Sequence, residues 1–329
     1  MFVKTATAIA AIAAIATAAP VSAAKKLVVF GASFDDNGST HHDSSMQAYW
    51  NGRYSNSYVW PEYAAKILGL TLSDNAYGGA TSDNSFVYAQ GANGPITSVH
   101  DAIQNYINTY TNEPAGLRAA HTVIIDIGGN DAFYSTTSLA SGAVDISTFV
   151  SNLTSHIYSD VGVLVNAGFR NIYIANIQPL GIMPFATTND IVPLAEALES
   201  TIVGSHTAAL ASFKKQYGTA ANNVKIFDMA ASFRAMMDTE VVSAMNILNS
   251  STECISYDST GSPAFCTDPD THMFFDDFHP CGRPHYLLGV LFANIVSNPA
   301  YVVNTRNLVN AVNKYNIGTS SVTKNIIVS

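Results

Sequence analysis

Short, mostly β-branched apolar runs recur along the chain at 27–30 (LVVF), 122–127 (TVIIDI), 171–177 (NIYIANI) and 224–227 (VKIF). Runs of this length suit strands buried on both faces of a parallel sheet. Between them the apolar residues change period. Trp60, Tyr63, Ala64, Ile67 and Leu68 recur at three- and four-residue steps, as do Phe149, Leu153, Ile157, Val161 and Leu164, and later Leu198, Ile202, Leu210 and Phe213. That spacing predicts helices with one buried face. Strands alternating with helices imply an α/β fold built from βαβ units around a parallel sheet. A further short strand is expected within 71–77. Neither an internal repeat nor a Pro/Gly-rich linker divides the chain, so 24–329 reads as a single domain.

In an open α/β sheet, functional groups gather beyond the carboxyl ends of the strands. Three such corners are small and polar: Gly31-Ala32-Ser33, Gly78-Gly79-Ala80-Thr81 and Gly128-Gly129-Asn130-Asp131. Acyl transfer needs a nucleophile, a base, a group that orients the base, and donors aimed at a developing oxyanion. Ser33 supplies a hydroxyl where the first strand is expected to turn toward a helix, whose dipole would favour negative charge there. In FFDDFHP (274–280), Asp276 stands three residues before His279, close enough to hold its imidazole in one tautomer. Asp277 is the competing orienter. Gly79 and Ser33 offer backbone N–H groups, and Asn130 a side-chain amide, for the oxyanion. Asp35 is expected to be solvated, and Asp131 to bind loop amides.

Composition narrows the function. The 329 residues are 48% hydrophobic and only 12% charged, and 15 Lys and Arg against 24 Asp and Glu give a net charge of -9. An acidic chain repels a phosphate backbone or an anionic membrane, so nucleic acid is set aside as a partner. Residues 1–23 carry Lys4, an Ala- and Ile-rich run, and small residues at 21 and 23, the pattern of a signal peptide with cleavage before Ala24. Secretion, and no stable membrane insertion, follow as expectations. Three cysteines, Cys254, Cys266 and Cys281, allow one disulfide and one free thiol, and Cys254 with Cys266 is the preferred pairing. Asn152 and Asn249 begin glycosylation sequons, and Asn37 a third beside Ser33.

The four blocks together resemble the GDSL, or SGNH-hydrolase, family of serine esterases and lipases. GASFDDNG matches its first block, NAYGGATS (75–82) the glycine block, GGND (128–131) the asparagine block, and DDFHP (276–280) the block with Asp and His. GRYSNSYVWPEYAA (52–65) and NIQPLG (176–181) also look familial. The resemblance implies a flavodoxin-like three-layer α/β sandwich and no metal or other cofactor. It also implies Ser33 as nucleophile, His279 as base, Asp276 as orienter, and Gly79 and Asn130 as oxyanion donors beside the Ser33 amide. Ala32 departs from the family aspartate, which puts local loop hydrogen bonding in question.

The function implied is a secreted, monomeric ester hydrolase acting on a small-molecule, lipid or acylated-carbohydrate ester. Because no long apolar lid is evident, short-acyl esters are favoured. Two alternatives stand beside it: an inactive binding protein on the same scaffold, and a metal-dependent phosphoesterase using Asp35, Asp36, His41 and His42. His41, His42 and Asp43 otherwise read as a surface loop, and His206, His272 and His285 as structural. The aromatic cluster Tyr49, Trp50, Tyr54, Tyr58 and Trp60 fits either a substrate pocket or core packing.

Overall fold

The computed structural model describes residues 24–38, 48–92, 94–257 and 262–329. The expected signal peptide and the His41-His42-Asp43 loop lie outside the described residues. Five strands form the central sheet: β1 (Lys26–Gly31), β2 (Thr71–Asp74), β3 (Thr122–Asp126), β4 (Asn171–Ala175) and β5 (Val224–Phe227). Their order is β2-β1-β3-β4-β5 and every pairing is parallel. This is the flavodoxin-like doubly wound order, with the switch point between β1 and β3.

The strands read as continuous apolar runs because each face of the sheet has its own core. Leu27, Val29, Ile124, Tyr173 and Phe227 point to one side and Val28, Phe30, Val123, Ile125, Ile172 and Ile174 to the other. Over the first face pack helices α1 (Trp60–Leu68), α6 (Met229–Met236), α7 (Gly282–Ser297) and α8 (Thr305–Lys314). Over the second lie α2 (Val99–Thr109), α4 (Ile146–Asn166) and α5 (Val192–Tyr217), together with α3 (Gly129–Ala140), which leaves the end of β3. The architecture is a three-layer α/β sandwich. Three of these helices carry the apolar spacing noted above, and α1, α4 and α5 bury those very residues or pack them at the core edge.

Cys254 and Cys266 are disulfide-bonded, and Cys281 is free and buried. Burial pushes the Cys281 thiol well above its ordinary range, which suppresses its reactivity as a thiolate. Among the described residues no helix is long and apolar enough to cross a membrane.

Candidate active site

The three corners converge at the carboxyl edge of β1, β2 and β3. Backbone bonding explains why. The Tyr77 N–H donates to Gly31 O, and the Asp36 carboxylate accepts from Gly38 N (2.8 Å) and Gly78 N (2.8 Å), so one side chain ties the first block to the glycine block. Asp74, at the end of β2, accepts from Asn37 N and Ala76 N. Asp131 does the same for the third corner: it is fully buried and accepts from the Ser82 N–H and hydroxyl. Burial nevertheless pushes its carboxyl up to about 6.

Among the described residues, 33–38 do not form the expected helix. Residues 32–36 make a single turn in which Asp35 N and Asp36 N both donate to Ala32 O. The next bonds go to side chains instead, with Asp36 capturing Gly38 N, and the chain leaves the helical path. Such local carboxylate bonding competes with helix propagation. The helix N-terminus that reaches the site is that of α3, whose first turn carries Asn130.

Ser33 Oγ lies 2.7 Å from His279 Nε2, and His279 Nδ1 lies 2.7 and 2.8 Å from the Asp276 oxygens. The 276–279 loop is closed by Phe275 N donating to His279 O, and α7 starts three residues later. Asp276 Oδ1 also accepts from Phe278 N and His279 N, and Oδ2 accepts from the Tyr49 hydroxyl at 2.7 Å. Burial pushes the Asp276 carboxyl up. The His279 charge and hydrogen bond, the Tyr49 hydroxyl and the Phe278 amide outweigh that, and hold it below its ordinary value. Asp277 makes no such contact with the imidazole; its carbonyl oxygen accepts from Phe185 N.

Gly79 has φ +83°, a backbone state in which a side chain would be strained, and an added Cβ would press on Ile96 at 2.7 Å. Asn130 Nδ2 donates one hydrogen to Ala80 O (2.8 Å). An amide nitrogen has two, so the second is free to serve a ligand. Ser33, Gly79, Asn130 and His279 all line one cavity of about 540 Å³.

Two readings change. Asp35 is not solvated: it is fully buried beneath the Ser33 turn, accepts from Ala32 N, and shares a hydrogen bond with the buried Asp126 at the end of β3. A Cβ on Gly31 would collide with the Asp35 carboxylate, so the first glycine of the motif makes room for this acid. Ala32 thus leaves no gap in the loop's bonding, since Asp35 holds its N–H. The aromatic cluster divides in three. Trp60 is core, Trp50 and Tyr58 flank the Arg53 guanidinium, which is paired with Glu62, and Tyr49 and Tyr54 reach the site, the Tyr54 ring 5.0 Å from that of His279. His206 and His285 are buried and held neutral by desolvation, with pKa values near 4 and 3, and Trp60 N donates to His285.

The Asp35–Asp126 pair makes a pH-dependent contribution to stability. Burial raises both, Asp126 to about 7, and the neighbouring Asp126 charge raises Asp35 further, so the folded state keeps a proton that the unfolded chain releases near pH 4. The stability this adds is complete below about pH 4 and is lost as pH rises through about 7. Beyond the bond they share, the donors to this pair among the described residues are Gln178 to Asp126 Oδ1, and the Ala32 N–H and the Trp60 side chain to Asp35. Asp126→Asn would supply an N–H₂ to Asp35 and keep an oxygen for Gln178. The expected result is a gain of about 1–3 kcal/mol at pH 8, seen as a Tm higher by several degrees, with the gap narrowing at pH 5. Equal Tm differences at both pH values would contradict the shared proton.

Residues 27–287 match the family model of the GDSL-like lipase/acylhydrolases. The chain belongs to this family. This GDSL-family chain is 23% identical over 281 residues to the thermolabile hemolysin of Vibrio parahaemolyticus, a match spanning 79% of this chain and 61% of the relative. It is 30% identical over 167 residues to an acetylesterase of Hypocrea jecorina, spanning 46% of this chain and 47% of that one. The chain therefore covers less than two thirds of either relative's length. Among solved structures, a carbohydrate acetylesterase from Sinorhizobium meliloti superposes with a TM-score of 0.47 at 15% identity, covering 83% of this chain and 98% of that one. Sequence reasoning singled out each member of the Ser33–His279–Asp276 contact. What it missed is Tyr49 as the hydrogen-bond donor to Asp276. The only signal for it was membership of an aromatic cluster.

Proposed function

We propose that the chain is a secreted carboxylic ester hydrolase working through an acyl-enzyme on Ser33. The observation that carries this reading is the continuous hydrogen-bonded chain from the Ser33 hydroxyl through the His279 ring to Asp276, opening on a cavity that also holds two further donors. His279 Nε2 takes the hydroxyl proton as Oγ attacks the ester carbonyl. Asp276 keeps Nδ1 protonated and stabilises the imidazolium. The Ser33 and Gly79 N–H groups and the second Asn130 amide hydrogen face the developing oxyanion. His279 then protonates the leaving alkoxide, and water repeats the cycle on the acyl-enzyme. The signal-like residues 1–23 and the Cys254–Cys266 disulfide support an oxidising, extracellular setting.

Hydrolysis of a panel of chromogenic carboxylic esters by the purified protein, undiminished by chelator, is the expected result. Activity confined to phosphoesters and lost with chelator would favour the metal-dependent alternative.

Tyr49 acts in this scheme as a positioning residue. Its hydroxyl draws charge from Asp276, so Tyr49→Phe should leave a carboxylate that binds the imidazolium more strongly. Because Asp276 also loses a bond that fixes its orientation, turnover is expected to fall about tenfold, the scale of one hydrogen bond to a charged group, and the acid limb of the kcat/KM profile to move to higher pH. A role in packing alone would lower the rate at every pH without moving the limb.

A further inference from the structure

Resting on the ester-hydrolase reading, we propose that the cavity beside Ser33 is a binding arm for an unbranched alkyl chain, and that the preferred esters carry such a chain of about eight carbons or more. Besides its polar donors, the cavity is lined by apolar side chains from three separate elements: Ala132 and Leu139 of α3, Met183 and Ala186 of the segment after β4, and Ala195 and Leu198 of α5. All six are no more than 7% exposed, so the arm runs into the body of the protein between the helices. The three alanines are what leave it open. At about 540 Å³ the cavity falls within the range that encloses drug-sized ligands, and an acetyl group would leave most of it unfilled.

Three further lining residues are aromatic rings. Phe133, Phe185 and Phe278, from three different segments, stack with ring centroids 4.6–5.3 Å apart, and Phe133 is 39% exposed. Phe278 sits inside the loop that carries Asp276 and His279, and Phe185 N is bonded to that loop at Asp277 O. The chain-binding wall is thereby fixed to the base. No lid is needed for such a site, and so the lack of a long apolar lid segment does not imply short-acyl substrates.

Two series of esters test this, each kept below its critical micelle concentration. One varies the acyl chain from acetate to dodecanoate on a fixed phenol, and the other varies the alcohol from ethyl to decyl on a fixed acetate. In one of them kcat/KM should climb by up to about fourfold per methylene, the effect of moving a CH₂ from water into an apolar site, and level off when the arm is full. A climb in the acyl series places the acyl chain in the arm, and a climb in the alcohol series places the alkoxy chain there. Ala195→Phe, which plugs the arm from α5, should reduce the octanoate-to-acetate ratio at least tenfold. Leu139→Phe plugs it from α3 and keeps the test decisive if the first variant does not fold. Rates that are flat or fall with length in both series, or plugs that change every ester alike, would overturn the proposal while leaving the ester-hydrolase reading intact. Absence of hydrolysis on any ester would instead sink that underlying reading.

Discussion

Ser33→Ala is expected to lower kcat for ester hydrolysis by roughly 10⁴–10⁶, the loss seen when a serine nucleophile is removed from a hydrogen-bonded triad, with the fold unchanged. The Ser33 side chain is bonded to His279 Nε2, and the substitution removes one oxygen without opening a cavity in either core. The turn around it is held by backbone atoms of Ala32, Asp35 and Asp36 and by the Asp35 and Asp36 carboxylates, none of which depends on the hydroxyl. Tm should therefore stay within about a degree, a change that surface-like substitutions of this size produce. Initial rates on a short chromogenic ester, with thermal melts on the same samples, check both halves. Loss of a single oxyanion donor should cost less, about 10²–10³, which separates the nucleophile from Gly79 and Asn130 by magnitude.

Asp276→Asn should cost about 10⁴ in kcat near neutral pH, and the reason is which way the new amide must point. Asp276 Oδ1 accepts from Phe278 N and His279 N, so the asparagine oxygen is retained there and its N–H₂ is turned toward the Tyr49 hydroxyl and the imidazole. His279 Nδ1 would then accept a hydrogen rather than donate one, leaving the ring proton on Nε2, where it faces Ser33 and cannot be replaced by the serine proton. The rate should recover in part at high pH, where the hydroxyl can be deprotonated by other means. A variant with near-normal rates at pH 7 would show that Asp276 serves loop structure only.

Much of this site was legible because the residues that make it sit at strand ends, and strand ends can be placed from the apolar runs alone. Ser33, Gly79 and Asn130 each follow such a run closely, and the parallel order of the sheet brings those ends together. Asp276 and His279 were legible for a local reason, since three residues of one loop suffice for the contact. The failures share a different cause. Asp35 follows a strand and carries a charge, which locally reads as solvent-facing; its burial depends on Asp126, a residue of another strand that β3 places opposite Gly31. The helix expected after Ser33 does not propagate because the Asn37 and Gly38 amides that would have extended it are captured by the Asp74 and Asp36 carboxylates.

Tyr49 was indistinguishable from its aromatic neighbours because nothing local says which ring reaches Asp276, a residue far along the chain. The apolar arm is hidden for the same reason. Ala132, Ala186 and Ala195 look like ordinary helix residues until α3, α5 and the segment after β4 are seen to face one cavity.

The central claim is that Ser33 is an activated nucleophile, and a fluorophosphonate probe followed by peptide mass mapping tests it most directly. A covalent adduct is expected on the peptide containing Ser33 in the native protein, lost in Ser33→Ala and strongly slowed in His279→Ala. Undiminished ester hydrolysis by a protein that carries no adduct at Ser33, or an adduct mapped to another serine, would contradict it.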